Sequence, residues 1–134
     1  IVGMAEAYRL AAMESDAETA QIAEYRQQIV DCCEALGGIH VNGAGGVPHI
    51  LNVTVDGVDA EPLMAAMPEI AISTGSACNS ATLEPSHVLQ SMGLSRQEGL
   101  SSIRISFGRM TSTEAITDFV ACFRRAVTGL REAT

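Results

Sequence analysis

The sequence predicts an α+β fold, one small sheet with helices on one side, and three features carry that prediction. Apolar stripes at helical spacing, each preceded by a capping signature, run from Ser15 to Leu36 and from Thr111 to Leu130. Short alternating segments ended by turn signals lie between them. The resulting order is helix, helix, strand, strand, helix, strand, helix, strand, helix, with neither repeat nor linker, and 134 residues make a single domain, 1–134.

The elements follow in turn. Ile1, Val2, Ala5 and Leu10 begin an amphipathic helix with no initiator methionine and no capping residue ahead of them, so the chain is expected to begin inside a larger polypeptide. Ser15-Asp16-Ala17-Glu18 has the form of a capping box and predicts a new helix there, with Ile22, Tyr25, Ile29, Cys32 and Leu36 as its core stripe and Gly37-Gly38 as its stop. Ile39 to Gly43 and His49 to Val55 read as two strands able to pair, joined by a glycine-rich turn. That turn is not a phosphate loop, because neither GK[ST] nor GxGxxG opens a helix behind it. Asp59 caps a short helix to Met67 that packs Leu63, Met64 and Met67. Ile70 to Ser73 is a short strand, and Pro85 to Met92 a helix ended by Gly93. In "SSIRISFGR" the period of two puts Ile103, Ile105 and Phe107 on one face and Arg104 with Ser106 on the other. Thr111-Ser112-Thr113-Glu114 is a second capping box, opening a closing helix on Ile116, Phe119, Val120, Phe123, Val127 and Leu130.

Composition removes several function classes. A formal charge of −8 with two tyrosines, three phenylalanines and no tryptophan leaves neither a basic footprint nor stacking surface for nucleic acid. No apolar run approaches the roughly 20 residues of a membrane span, so the expectation is a soluble, cytoplasmic protein that meets no membrane. The four cysteines form neither a disulfide framework nor a CxxC zinc pair. All eight basic residues are arginine, so no residue here can form a lysine Schiff base with an aldehyde cofactor.

Candidate chemistry centres on "IAISTGSACNSATLEPSHVL", Ile70 to Leu89, where Cys78 sits among small polar residues with no charge between Glu69 and Glu84. A nucleophilic thiol needs access and something that lowers its pKa; this stretch offers access but no cation, so residue chemistry alone leaves both an incidental loop thiol and a nucleophile open. Cys32, Cys33 and Cys122 fall on or beside helical stripes and read as core. His40, His49 and His87 read as surface or packing residues. Arg104 is either an exposed strand arginine with an ion-pair partner or a bidentate clamp for a carboxylate. No catalytic triad emerges.

"STGSACNSATLEPSHVLQSMGL" followed by "SSIRISFGR" resembles the C-terminal small domain of the group I (NifS/IscS-like) cysteine desulfurases, in the class V aminotransferase family. "IVGMAEAYRLA" and "ILNVTVDGVDAEPLM" extend the resemblance, and the RxGHHCA of group II is absent. Asn79 stands where threonine or serine is commoner, and Val47-Pro48-His49 where Leu-Pro-Asn is commoner. The resemblance implies a small, mainly antiparallel sheet covered by helices, like the small domain of fold-type I pyridoxal-phosphate enzymes. A large domain, missing from this chain, would hold pyridoxal 5'-phosphate on a lysine and complete a homodimer. It further implies L-cysteine as substrate, Cys78 as the catalytic thiol that takes its sulfur as a persulfide, and Arg104 as the substrate-carboxylate clamp. Alanine is the product, and the sulfur goes to an acceptor or scaffold protein for iron-sulfur cluster assembly or other sulfur modification. The isolated chain, lacking the lysine, is expected to be incompetent. A selenocysteine lyase stays within that class. Outside it stand a non-catalytic persulfide relay and an α+β interaction domain with an incidental thiol.

Overall fold

The structure, a computed structural model, describes residues 1–43, 45–74 and 86–133, with the side chains of 14–17 left aside. Its elements are α1 (Val2–Leu36), β1 (Ile39–Asn42), β2 (Ile50–Val55), α2 (Ala60–Ala65), β3 (Ser73–Thr74), α3 (His87–Ser91), α4 (Arg96–Leu100), β4 (Ser102–Ser106) and α5 (Thr113–Glu132). The strands form one antiparallel sheet in the order β1-β2-β4-β3. The α+β class and the pairing of the two early strands agree with the sequence.

The sheet has two unlike faces. Leu51, Val53 and Val55 of β2 and Ile103 and Ile105 of β4 are buried on one of them, beneath Ile29 of α1, Leu63 of α2 and Phe123 and Val127 of α5. Burying each such side chain stabilises the fold by about 1.5–3 kcal/mol. Even-numbered residues of β1, β2 and β4 lie on the other face, as the period of two requires. Its far end is covered: Ser102 and Thr54 are buried, and Ser102 Oγ donates to the Glu98 carbonyl of α4 at 2.6 Å. α4 thus adds cover on the second face to the one-sided layer of the sequence prediction.

Several boundaries differ from expectation, each for a physical reason. The helix predicted to start at Ser15 is part of one 35-residue α1. No glycine or proline interrupts the chain from Met4 to Leu36, and serine or aspartate inside a helix costs only a few tenths of a kcal/mol, less than breaking the backbone ladder. The stripe from Ile22 to Cys33 is buried, whereas Ile1, Val2, Met4, Tyr8 and Met13 are exposed. Asp59 precedes α2 without a capping bond; its Oδ1 accepts instead from Gln97 Nε2 at 2.9 Å and Ser101 Oγ at 3.3 Å, tying α2 to α4. α5 is capped by Ser112, whose side chain accepts from the Ala115 amide, while Thr111 Oγ1 takes the Gly108 amide at 3.0 Å. α3 begins at His87 behind Ser86. α4, which the sequence reading did not contain, is opened by a full capping box between Ser95 and Glu98.

The end of α1 is closed as expected by glycine, with help from α5. Arg131 donates to the carbonyls of Leu36 at 3.2 Å, Gly37 at 2.9 Å and Gly38 at 3.0 Å. These bonds occupy acceptors that a helix terminus otherwise leaves to water. Gly38 sits at φ 56, and a Cβ there would meet Arg131 Nη2 at 3.0 Å, so both its conformation and its neighbour favour glycine. At the other end, Tyr25 Oη accepts from Gln21 Nε2 at 2.6 Å and meets Thr113 Oγ1 at 3.2 Å, pinning α1 to the start of α5.

Candidate functional site

The second sheet face carries the candidate site. Strand register places Asn42 of β1 opposite Asn52 of β2, Asn52 opposite Arg104 of β4, and Arg104 opposite Ser73 of β3, a polar row across all four strands. Arg104 is exposed, as its place in β4 between buried Ile103 and Ile105 requires. Among the described strand residues of that face there is no carboxylate: its members are His40, Asn42, Ile50, Asn52, Thr54, Ser73, Ser102, Arg104 and Ser106. Among the described residues no hydrogen-bond or ion-pair partner is found for the Arg104 side chain. A guanidinium set among neutral polar groups is a receptor for a planar anion, because its fork matches the two oxygens of a carboxylate.

Next to it runs a hydrogen-bond chain. Asn42 Nδ2 donates to Asn52 Oδ1 at 2.6 Å and to Thr54 Oγ1 at 2.8 Å; Thr54 Oγ1 and Ser102 Oγ are 2.8 Å apart. Sequence reasoning missed Asn42, Asn52, Thr54 and Ser102. Alternation along β2 could have put Asn52 and Thr54 on one face, but bringing them beside Arg104 needs the β2–β4 register.

Cys78 lies outside the described residues, as do Asn79 and Pro85. In sequence Cys78 follows by five positions Ser73, which in β3 is the ladder partner of Arg104.

The other sequence candidates have structural places. His40 Nε2 pairs with Asp56 Oδ2 at 3.0 Å on the surface, and His49 and His87 are exposed. Cys32, Cys33 and Cys122 are buried free thiols. Burial first, then the neighbouring charges of Cys32 and Glu34, pushes the Cys33 thiol up to about 12, so the thiolate needed for attack is scarce at neutral pH. Native protein treated with iodoacetamide at about pH 8 is accordingly expected to keep all three unmodified until denaturant is added. Peptide mass mapping reads this directly, and prompt native labelling of Cys33 would contradict its burial.

Among the described residues no group of three or more His, Cys, Asp or Glu could hold a metal, and no helix is long and apolar enough to cross a membrane. An aldehyde cofactor bonded through an amine does not fit this chain either, since none of the eight basic residues is lysine.

The fold has solved counterparts. A NifS-like protein superimposes with a TM-score of 0.79 over 96% of this chain and 33% of that one, at 23% identity. The X-ray structure of a NifS-like protein from Rickettsia africae ESF-5 gives 0.74 over 89% of this chain and 31% of that one, at 20% identity. The family model for aminotransferase class-V matches residues 1–119, and the chain belongs to that family. Cysteine desulfurase IscS of Enterobacter sp. (strain 638) is 41% identical to it over 134 residues, 98% of this chain and 33% of the relative. The chain thus spans about a third of the length of the curated relatives it matches.

Proposed function

We propose that this chain is the small-domain portion of a cysteine desulfurase that takes sulfur from L-cysteine and leaves L-alanine. The observation that carries the reading is Arg104, exposed on a sheet face whose described strand residues include no carboxylate, in a chain 41% identical to a cysteine desulfurase. Arg104 holds the substrate carboxylate, and the segment that begins one strand away supplies Cys78. The Cys78 thiolate forms a new S–S bond with the substrate sulfur. The Cβ–S bond breaks with its electron pair left on carbon, a proton there completes alanine, and Cys78 becomes a persulfide. Small polar neighbours from Ser73 to Ser80 suit a thiol that must serve both a substrate and an acceptor protein.

Pyridoxal 5'-phosphate enters this proposal only through a lysine outside these 134 residues, in a large domain with which the chain forms one subunit of a homodimer. The acceptor is a protein of iron-sulfur cluster assembly or other sulfur modification. A reducing cytoplasm is the matching compartment, since it keeps Cys78 and the three buried thiols free.

The test is product balance in the full-length enzyme. L-cysteine with a thiol reductant is expected to yield alanine and sulfide in equal amounts, and Cys78→Ala to yield neither. Undiminished turnover by Cys78→Ala would make that thiol incidental. Loading of Cys78 from a donor persulfide, without any alanine formed from L-cysteine, would replace the enzyme with a relay module.

A further inference from the structure

The hydrogen-bond chain beside Arg104 has a direction that chemistry alone fixes. It ends on the Glu98 carbonyl, which can only accept, so the single hydroxyl proton of Ser102 is spent there. The 2.8 Å contact between Thr54 Oγ1 and Ser102 Oγ then needs the proton of Thr54. With that proton spent, Thr54 Oγ1 must accept from Asn42, so the Asn42 amide presents its nitrogen to this side. The same nitrogen meets one terminal atom of the Asn52 amide at 2.6 Å, and that atom must be the acceptor, Oδ1. Asn52 therefore has its oxygen committed toward β1, and its planar amide turns the NH2 group away from β1, on the side of β4.

The residue opposite Asn52 on β4 is Arg104, with Cβ atoms of such a pair about 5 Å apart. A carboxamide NH2 and a guanidinium cannot bond to each other, since both only donate. Two adjacent donor groups with no acceptor between them share an anionic ligand more readily than they share each other. We propose that Asn52 is a second substrate-binding residue, its Nδ2 donating to the same carboxylate that Arg104 clamps, with Asn42, Thr54 and Ser102 holding it in the donating orientation. This inference rests on the reading of Arg104 as the carboxylate clamp. It adds a specific requirement: the site takes a ligand that offers acceptors to both residues, which a carboxylate does and a carboxamide does only in part.

The experiment measures equilibrium binding of L-alanine and of L-alaninamide to the full-length holoenzyme, read from the cofactor absorbance band, for wild type, Asn52→Ala, Asn52→Leu and Arg104→Ala. Loss of one hydrogen bond to a charged group predicts that both Asn52 variants bind L-alanine about tenfold more weakly, with L-alaninamide changed less than about twofold. Asn52→Leu, close to asparagine in volume and at home in a strand, keeps the test valid if Asn52→Ala folds poorly. Asn52→Asp, which sets a carboxylate beside Arg104, is expected to weaken L-alanine binding as far as Arg104→Ala does. Wild-type affinity for L-alanine in both Asn52→Ala and Asn52→Leu, alongside a loss in Arg104→Ala, would overturn the role of Asn52 and leave the clamp standing. Equal weakening of the two ligands would also overturn it, as a general disturbance. Wild-type affinity in Arg104→Ala would instead remove the clamp itself.

Discussion

With Arg104 as the proposed carboxylate clamp, its replacement by alanine in the full-length protein is expected to lower kcat/KM for L-cysteine by about 10²- to 10⁴-fold. A bidentate guanidinium–carboxylate contact comprises two hydrogen bonds to a charged group, each worth about 1.5–3 kcal/mol, and each 1.4 kcal/mol is tenfold. In the proposed reaction the substrate carboxylate takes no part in breaking the Cβ–S bond, so its contact is made in ground and transition states alike. The loss should therefore fall mainly on KM. Arg104→Lys keeps the charge but not the fork and should lie between the two. The described strand residues of that face include no second arginine to take over the charge, and the sequence has no lysine. Steady-state kinetics with L-cysteine decide the matter: a variant within threefold of wild type would leave Arg104 without the role assigned to it.

The second large effect is on stability. Phe123→Ala is expected to lower the unfolding free energy of the chain by about 3–5 kcal/mol. Phe123 is wholly buried beneath the sheet and stacks on Phe119, with ring centroids 5.5 Å apart and planes at 14°. Its removal takes away transfer free energy and the ring contact, and leaves a cavity in the close-packed core. Against a domain stability of about 5–15 kcal/mol, that is a large fraction. Urea titration followed by circular dichroism gives the number, and a loss below about 1 kcal/mol would mean that α5 is not seated as described. Because Phe123 lies on the helix-covered face and Arg104 on the other, the two changes should act independently in a double variant.

Much of the fold could be read before the structure because local signals and tertiary packing agree. Ile103, Ile105 and Phe107 alternate with Arg104 and Ser106, and that alternation alone separates the core face from the site face. The stripes on α1 and α5 are buried where the spacing puts them. Legibility fails where two local solutions lie close in energy. Ser15-Asp16-Ala17-Glu18 suits a cap and a helix interior about equally, and the continuous ladder of α1 wins. Asp59 has the chemistry of a cap, yet Gln97 and Ser101, brought close only by folding, claim its carboxylate. Ser95 and Glu98 carry the same capping signature in sequence as Thr111 and Glu114 but open only a helix of five residues, too short to leave an apolar period. The site divides similarly. Arg104 is legible from β4 alone, whereas Asn52 and Asn42 become part of it only through the register of three strands, information that no single segment contains.

Peptide mass spectrometry of the full-length protein after brief exposure to L-cysteine tests the proposed role of Cys78 most directly. An added sulfur is predicted on the peptide carrying Cys78 and on none carrying Cys32, Cys33 or Cys122, whose burial denies them substrate. Added sulfur on any of those three with Cys78 left bare would contradict the assignment.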